Sequence, residues 1–96
     1  MAQFRAIVCD AETGGEGSYD FTGSGLLISA SPMRVAQAFF ESDAAQKQIR
    51  PHFPGYEIYS AFRHSDVWVI TLTGSLITKD DRKIPFMCMI NMTDPQ

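Results

Sequence analysis

The sequence predicts an α+β domain: a mostly antiparallel five-stranded sheet, element order ββαβββ, with one kinked helix or two short helices packed on one face. Three observations carry this reading. Two β-rich runs joined by a glycine-rich polar link open the chain, a Ser-Pro helix start stands in the middle, and three β-rich runs joined by short polar turns follow. Ninety-six residues suit a single domain, taken here as 1–96. A sheet with helix on one side is the simplest layer arrangement for that order.

The first strand is expected over residues 3–10, QFRAIVCD, with Phe4, Ala6 and Val8 on one side and Ile7 and Cys9 on the other. A second covers SYDFTG, residues 18–23, where Tyr19 and Phe21 alternate with Asp20 and Thr22. The link AETGGEG, residues 11–17, has the composition of a hairpin turn. GSGLLIS, residues 23–29, reads either as a continuation of the second strand past a bulge or as an irregular crossing segment. Leu26, Leu27 and Ile28 are expected to be buried in both cases.

Ser31 is a suitable N-cap because its hydroxyl can satisfy a free backbone N–H, and Pro32 suits the first helical position because its missing donor costs nothing there. Met33, Ala36, Phe39 and Phe40 then fall at helical spacing, with Val35 on the flank. Continued straight on, the same helix would put Asp43 and Lys47 on its apolar face. The stripe loses phase at Ser42-Asp43, which predicts a kink or a second short helix capped by Ser42. Pro51 and the PHFPG segment end the helical region.

The last third reads as a three-stranded meander. Its strands are YEIYSAFR (56–63), VWVITLTG (67–74, with SLIT as a possible extension) and KIPFMCMINM (83–92). His64-Ser65-Asp66 and Lys79-Asp80-Asp81-Arg82 supply the turns. Pro85 lacks a backbone donor and is expected near a strand start or at a sheet edge. Asp94-Pro95-Gln96 is expected to fray.

Composition disfavours several functions. The formal net charge of -3 gives no general attraction for phosphate backbones, so nucleic acid is not the expected partner. Tyr56, Tyr59, Phe62, Arg63 and Trp68 form an aromatic and basic group, but the bland reading is sheet core plus one exposed strand face. No apolar run approaches the ~20 residues that cross a bilayer. Without a signal-peptide pattern, and with two cysteines outside any CxxC spacing, the expectation is a cytoplasmic protein with reduced thiols and no membrane partner. Cys9 and Cys88 are expected to act as small buried hydrophobes.

Motifs for chemistry are sparse. The loop DAETGGEGSYDFTGSG, residues 10–25, lacks the lysine of a phosphate-binding loop, and its four carboxylates would repel phosphate. A calcium reading fares slightly better, with Asp10 and Glu12 in the first and third positions, but Gly14 occupies the fifth and Phe21 stands where a closing glutamate should be, so a solvated hairpin turn is the expectation. His52 and His64 are the two histidines and show no metal-ligand spacing. No nucleophile motif is visible, so the chain is not expected to be an enzyme, and no catalytic residue, metal or cofactor is assigned.

The informative feature is apolar character on both faces of the late strands. Trp68, Ile70 and Leu72 share one face of the fourth strand, with Val67 and Val69 opposite. Ile84, Phe86, Cys88 and Ile90 share one face of the fifth, with Met87 and Met89 opposite. A sheet with one face in water should read polar at every second position. The helical segment can cover one face only, so the sequence predicts a non-catalytic protein-interaction or oligomerising module. Its partner would be a second copy, as a homodimer, or another protein, and the candidate surface residues are Trp68, Ile70, Leu72, Met87 and Met89. The alternative is a small-molecule pocket between helix and sheet, lined by Phe39, Phe40 and Tyr59.

Overall fold

The computed structural model describes residues 1–12 and 14–93. Its elements are β1 (Ala2–Asp10), β2 (Glu16–Gly23), a 3-10 turn (Gly25–Ser29), α1 (Pro32–Phe40), α2 (Asp43–Gln48), β3 (Gly55–Arg63), β4 (Val69–Ile77) and β5 (Lys83–Met92). The sheet order is β2-β1-β5-β4-β3, and every neighbouring pair runs antiparallel. The predicted class is therefore the observed one: an α+β fold with a five-stranded sheet and two short helices. β5 lies inside the sheet rather than at its edge. Pro85 sits near the start of β5, opposite Ser75. The Asp94-Pro95-Gln96 tail and Thr13 of the hairpin link lie outside the described residues.

The two helices form where the sequence phase predicts. The Ser31 hydroxyl accepts from the Arg34 amide at 3.3 Å, and Pro32 opens α1. Ser42 does two jobs. Its hydroxyl donates to the Phe39 carbonyl at 2.6 Å, closing α1, and accepts from the Ala45 amide at 3.4 Å, opening α2. The break lets Ala45 and Ile49 turn inward, so the apolar stripe stays in register with the sheet. On α1 the buried stripe is Val35, Ala36, Phe39 and Phe40, while Met33, expected on that stripe, lies at the exposed rim.

The core lies between the helices and one sheet face. It takes alternate residues from the central strands: Phe4, Ala6 and Val8 from β1, Ile70 and Leu72 from β4, and Phe86, Cys88 and Ile90 from β5. Aromatic rings bridge the layers. Phe40 stacks on Tyr56 with centroids 4.2 Å apart and meets Phe86 edge-on at 5.6 Å. Phe39 contacts Phe40 at 5.0 Å and Phe21 at 5.3 Å. Such pairs add about 0.5–1.5 kcal/mol beyond the burial of their area.

Leu26 and Ile28, expected inside, are exposed, and Leu27 is half-buried. The 3-10 segment is held by its backbone as well as by Leu27, which packs against the core. Trp68 Nε1 donates to the Ile28 carbonyl at 2.8 Å, Arg63 Nη1 donates to the same oxygen at 3.0 Å, and Arg63 Nη2 donates to the Ala30 carbonyl. The Arg63 guanidinium also lies over the Trp68 ring, 5.2 Å from its centroid. Hydrogen bonding to two carbonyls anchors the crossing segment without burying Leu26 or Ile28.

Candidate functional site

The sheet face opposite the helices is open among the described residues. The pairing registers place its side chains in rows. One row runs Glu16, Cys9, Met87, Thr73 and Ser60, and the next runs Ser18, Ile7, Met89, Thr71 and Phe62. At the centre, Met87 is 53% and Met89 43% exposed. Phe62 and Tyr59 extend the apolar surface toward the β3 edge and are also exposed.

Tyr59 reaches this face through a bulge. The β3–β4 register slips between Ile58 and Ser60, leaving Tyr59 without an opposite residue. The slip presses the Glu57 carbonyl onto Gly74, where a Cβ would sit 2.0 Å from that oxygen. Bulges re-aim side chains in this way. Tyr59 then donates to Glu57 Oε1 at 3.1 Å and shares a 2.8 Å hydrogen bond with the hydroxyl of buried Ser75. Glu57 also meets Lys83 Nζ at 3.1 Å. The Lys83 ammonium and the Tyr59 hydroxyl together hold the Glu57 carboxyl below its usual range. These bonds fix the Tyr59 ring as one wall of a shallow apolar hollow of about 360 Å³, whose other lining residues include Cys9, Ala11, Pro85 and Met87.

Charged pairs stand at two opposite corners of the face. Arg5 Nε meets Asp20 Oδ1 at 2.8 Å where β1 and β2 pair, and the Glu57–Lys83 pair spans β4 at the other end. Asn91, in the row of Arg5 and Val69, has its Oδ1 sealed from solvent and without a hydrogen-bond partner among the described residues.

The candidate residues from the sequence divide between the two faces. Met87 and Met89 lie on the open face. Ile70 and Leu72 do not: both are fully buried under the helices, and Trp68 is half-buried on the same side, 5.3 Å from the Phe4 ring. The proposed pocket residues divide as well. Phe39 and Phe40 are fully buried among other rings, so the space between helix and sheet at that point is filled, while Tyr59 stands on the opposite face. Tyr56 and Arg63 likewise face the helix side and Phe62 the open side, so these aromatics form no single stacking platform.

Cys9 and Cys88 occupy neighbouring strands but opposite faces, since Val8 is the residue opposite Cys88. Both thiols are free. Burial pushes the Cys88 thiol up to about 12, which leaves it protonated and unreactive. Cys9, expected to be buried, is half-exposed at the hollow. His64 Nε2 lies 3.0 Å from Thr71 Oγ1, and His52 is exposed. Among the described residues no group of three His, Cys, Asp or Glu side chains could hold a metal ion. No helix among the described residues is long and apolar enough to cross a membrane.

The architecture thus defines a small antiparallel α+β domain with one open sheet face, apolar at Ile7, Cys9, Met87 and Met89 and hydroxyl-bearing or charged around them. Comparisons of the chain with protein families, with curated proteins and with solved structures find no match.

Proposed function

We propose that the chain is a non-catalytic module that self-associates through the open face of its sheet. The observation that carries this is the pair Met87 and Met89, exposed at the centre of an uncovered face and flanked by Ile7, Cys9, Phe62 and Tyr59. Methionine adapts to irregular partner surfaces, and apolar patches of this kind on small proteins mark binding sites. The size fits. Strands ~4.8 Å apart and nine residues long give a face of roughly 700 Å², close to the ~800 Å² that each partner buries in a standard interface. Two cations, Arg5 and Lys83, stand on the face with three carboxylates, Glu16, Asp20 and Glu57, so two copies meet with little net repulsion.

Light scattering after size-exclusion chromatography tests the proposal. The parent chain is expected at twice the monomer mass, and the double variant Met87→Glu, Met89→Glu at monomer mass with an unchanged circular dichroism spectrum. A parent that stays monomeric at high concentration and binds no hydrophobic dye overturns it.

A cytoplasmic location is part of the same proposal. It is supported by two free thiols held on opposite faces of the sheet, which suit a reducing compartment. A second reading rests on the hollow beside Tyr59: a small apolar ligand seated against Cys9, Pro85 and Met87. Such a ligand would raise the melting temperature of the parent and not of Met87→Glu.

A further inference from the structure

We infer that the two copies pack face to face about a two-fold axis that crosses the strands level with Cys88, so that β5 lies antiparallel over the partner's β5. The inference rests on the proposed self-association and adds its orientation. Stacked sheets keep their strand directions within about 30° of each other. A two-fold axis lying between two such sheets therefore runs either nearly along the strands or nearly across them.

The two orientations bring different residues together. An axis along β5 reverses the strand order across the interface. Ile7 and Cys9 on β1 then lie over the polar Thr71 and Thr73 of the partner's β4, because those strands flank β5 on either side. Lys83 meets its own symmetry mate at the axis. Glu57, at the β3 edge, comes over the end of the β1–β2 hairpin, where Glu16 stands and Glu12 pairs with Arg82 at 3.5 Å, while Asp20 comes over the partner's His64. The two Lys83 ammonium groups repel each other at the axis.

An axis across the strands keeps every strand over its own counterpart. Met87 then faces the partner's Met89, and Cys9 faces the partner's Ile7, so the apolar centre meets itself. Lys83 lies over Thr93 at the far end of the partner's β5, away from the other ammonium. Arg5 comes over the end of the partner's β1, close to Glu12 and Glu16. Glu57 comes over the partner's His64, which follows β3 beside Val69. The apolar contacts improve in this orientation, the two Lys83 ammonium groups separate and Arg5 gains a carboxylate, while Asp20 and Glu57 only exchange places between the hairpin end and His64. Asn91 Oδ1 is sealed beneath its neighbours and favours neither.

Pulsed dipolar spectroscopy on spin-labelled protein decides the matter. Cys9→Ala removes the accessible thiol, and Cys88, at 1% exposure, stays unlabelled. Into this background Lys83→Cys and, separately, Ser18→Cys place one label per chain on the open face. With the axis across the strands, the two position-83 sites are separated by about the length of β5, ~35 Å at ~3.4 Å per residue, and the position-18 sites by roughly 12 Å. With the axis along the strands the order reverses, to roughly 10 Å and about 20 Å. A long distance at 83 with a short one at 18 supports the inference. The reverse pattern overturns the orientation while leaving self-association standing. A monomeric mass for the unlabelled parent chain overturns both.

Discussion

Gly74→Ala is the sharpest test of how the open face is built. The added Cβ would lie 2.0 Å from the Glu57 carbonyl oxygen, 3.0 Å from the Glu57 carbonyl carbon and 3.0 Å from a ring carbon of Phe86. Carbon–oxygen contacts in sheets settle near 3.3–3.6 Å, so the β3 backbone must retreat by about 1.3 Å. Retreat on that scale weakens the β3–β4 ladder beside the Tyr59 bulge. Overpacking costs about 1–3 kcal/mol, and a stretched ladder bond adds about 1 kcal/mol. The expected loss is therefore about 3 kcal/mol. For a domain of this length that lowers the melting temperature by roughly 15 °C, and it consumes much of a stability on the order of 5–14 kcal/mol. Urea unfolding followed by tryptophan fluorescence reads the loss through the midpoint, with Trp68 as the probe. Gly25→Ala is the control, because a Cβ there meets nothing within 4 Å. A Gly74→Ala protein within 0.5 kcal/mol of the parent, measured against that control, would refute the bulge geometry.

Other outcomes follow from the same structure. Phe40→Ala removes a fully buried ring that contacts Phe39, Tyr56 and Phe86, and is expected to destabilise by about 3–5 kcal/mol in urea titration. Ser42→Ala removes the cap of α2 and is expected to cost about 1 kcal/mol, read the same way. A thiol reagent added to the native parent should modify one cysteine per chain, Cys9, and reach Cys88 only after unfolding; peptide mapping that finds Cys88 modified first would contradict its burial. The Glu57 carboxyl is held below its ordinary value of 4.5 by Lys83 and Tyr59, so its stabilising effect is present above that pH and is lost as the pH falls through the lowered value. Thermal melts of the parent should therefore decline below pH 4.5 more steeply than those of Glu57→Gln.

Local chemistry made much of the fold legible in advance. Ser31-Pro32 and the lost phase at Ser42-Asp43 located both helices because caps and periodicity act within a few residues. The alternation within each strand was equally readable. Which side of each strand faces the helices was not, because that depends on register between strands far apart in the chain. The sequence alone therefore groups Ile70 and Met87 as one surface, although their strands pair with those two side chains on opposite faces. The bulge at Tyr59 left no local sign except Gly74, whose need for close approach becomes visible only once Glu57 lies against it. Leu26 and Ile28 misled because hydrophobicity alone suggested burial, whereas carbonyl bonds from Trp68 and Arg63 hold that segment.

The position of β5 has a consequence for assembly. During synthesis the β1–β2 and β3–β4 hairpins can each form from nearby residues, but neither touches the other within the sheet. The strand that joins them is the fifth of the five in chain order, and the sheet is complete only when it has paired with both. Until it arrives, the inner edges of β1 and β4 offer unpaired backbone to any passing extended chain. The nascent protein thus has a window in which chaperone protection matters most, and that window closes with the insertion of a single ten-residue segment.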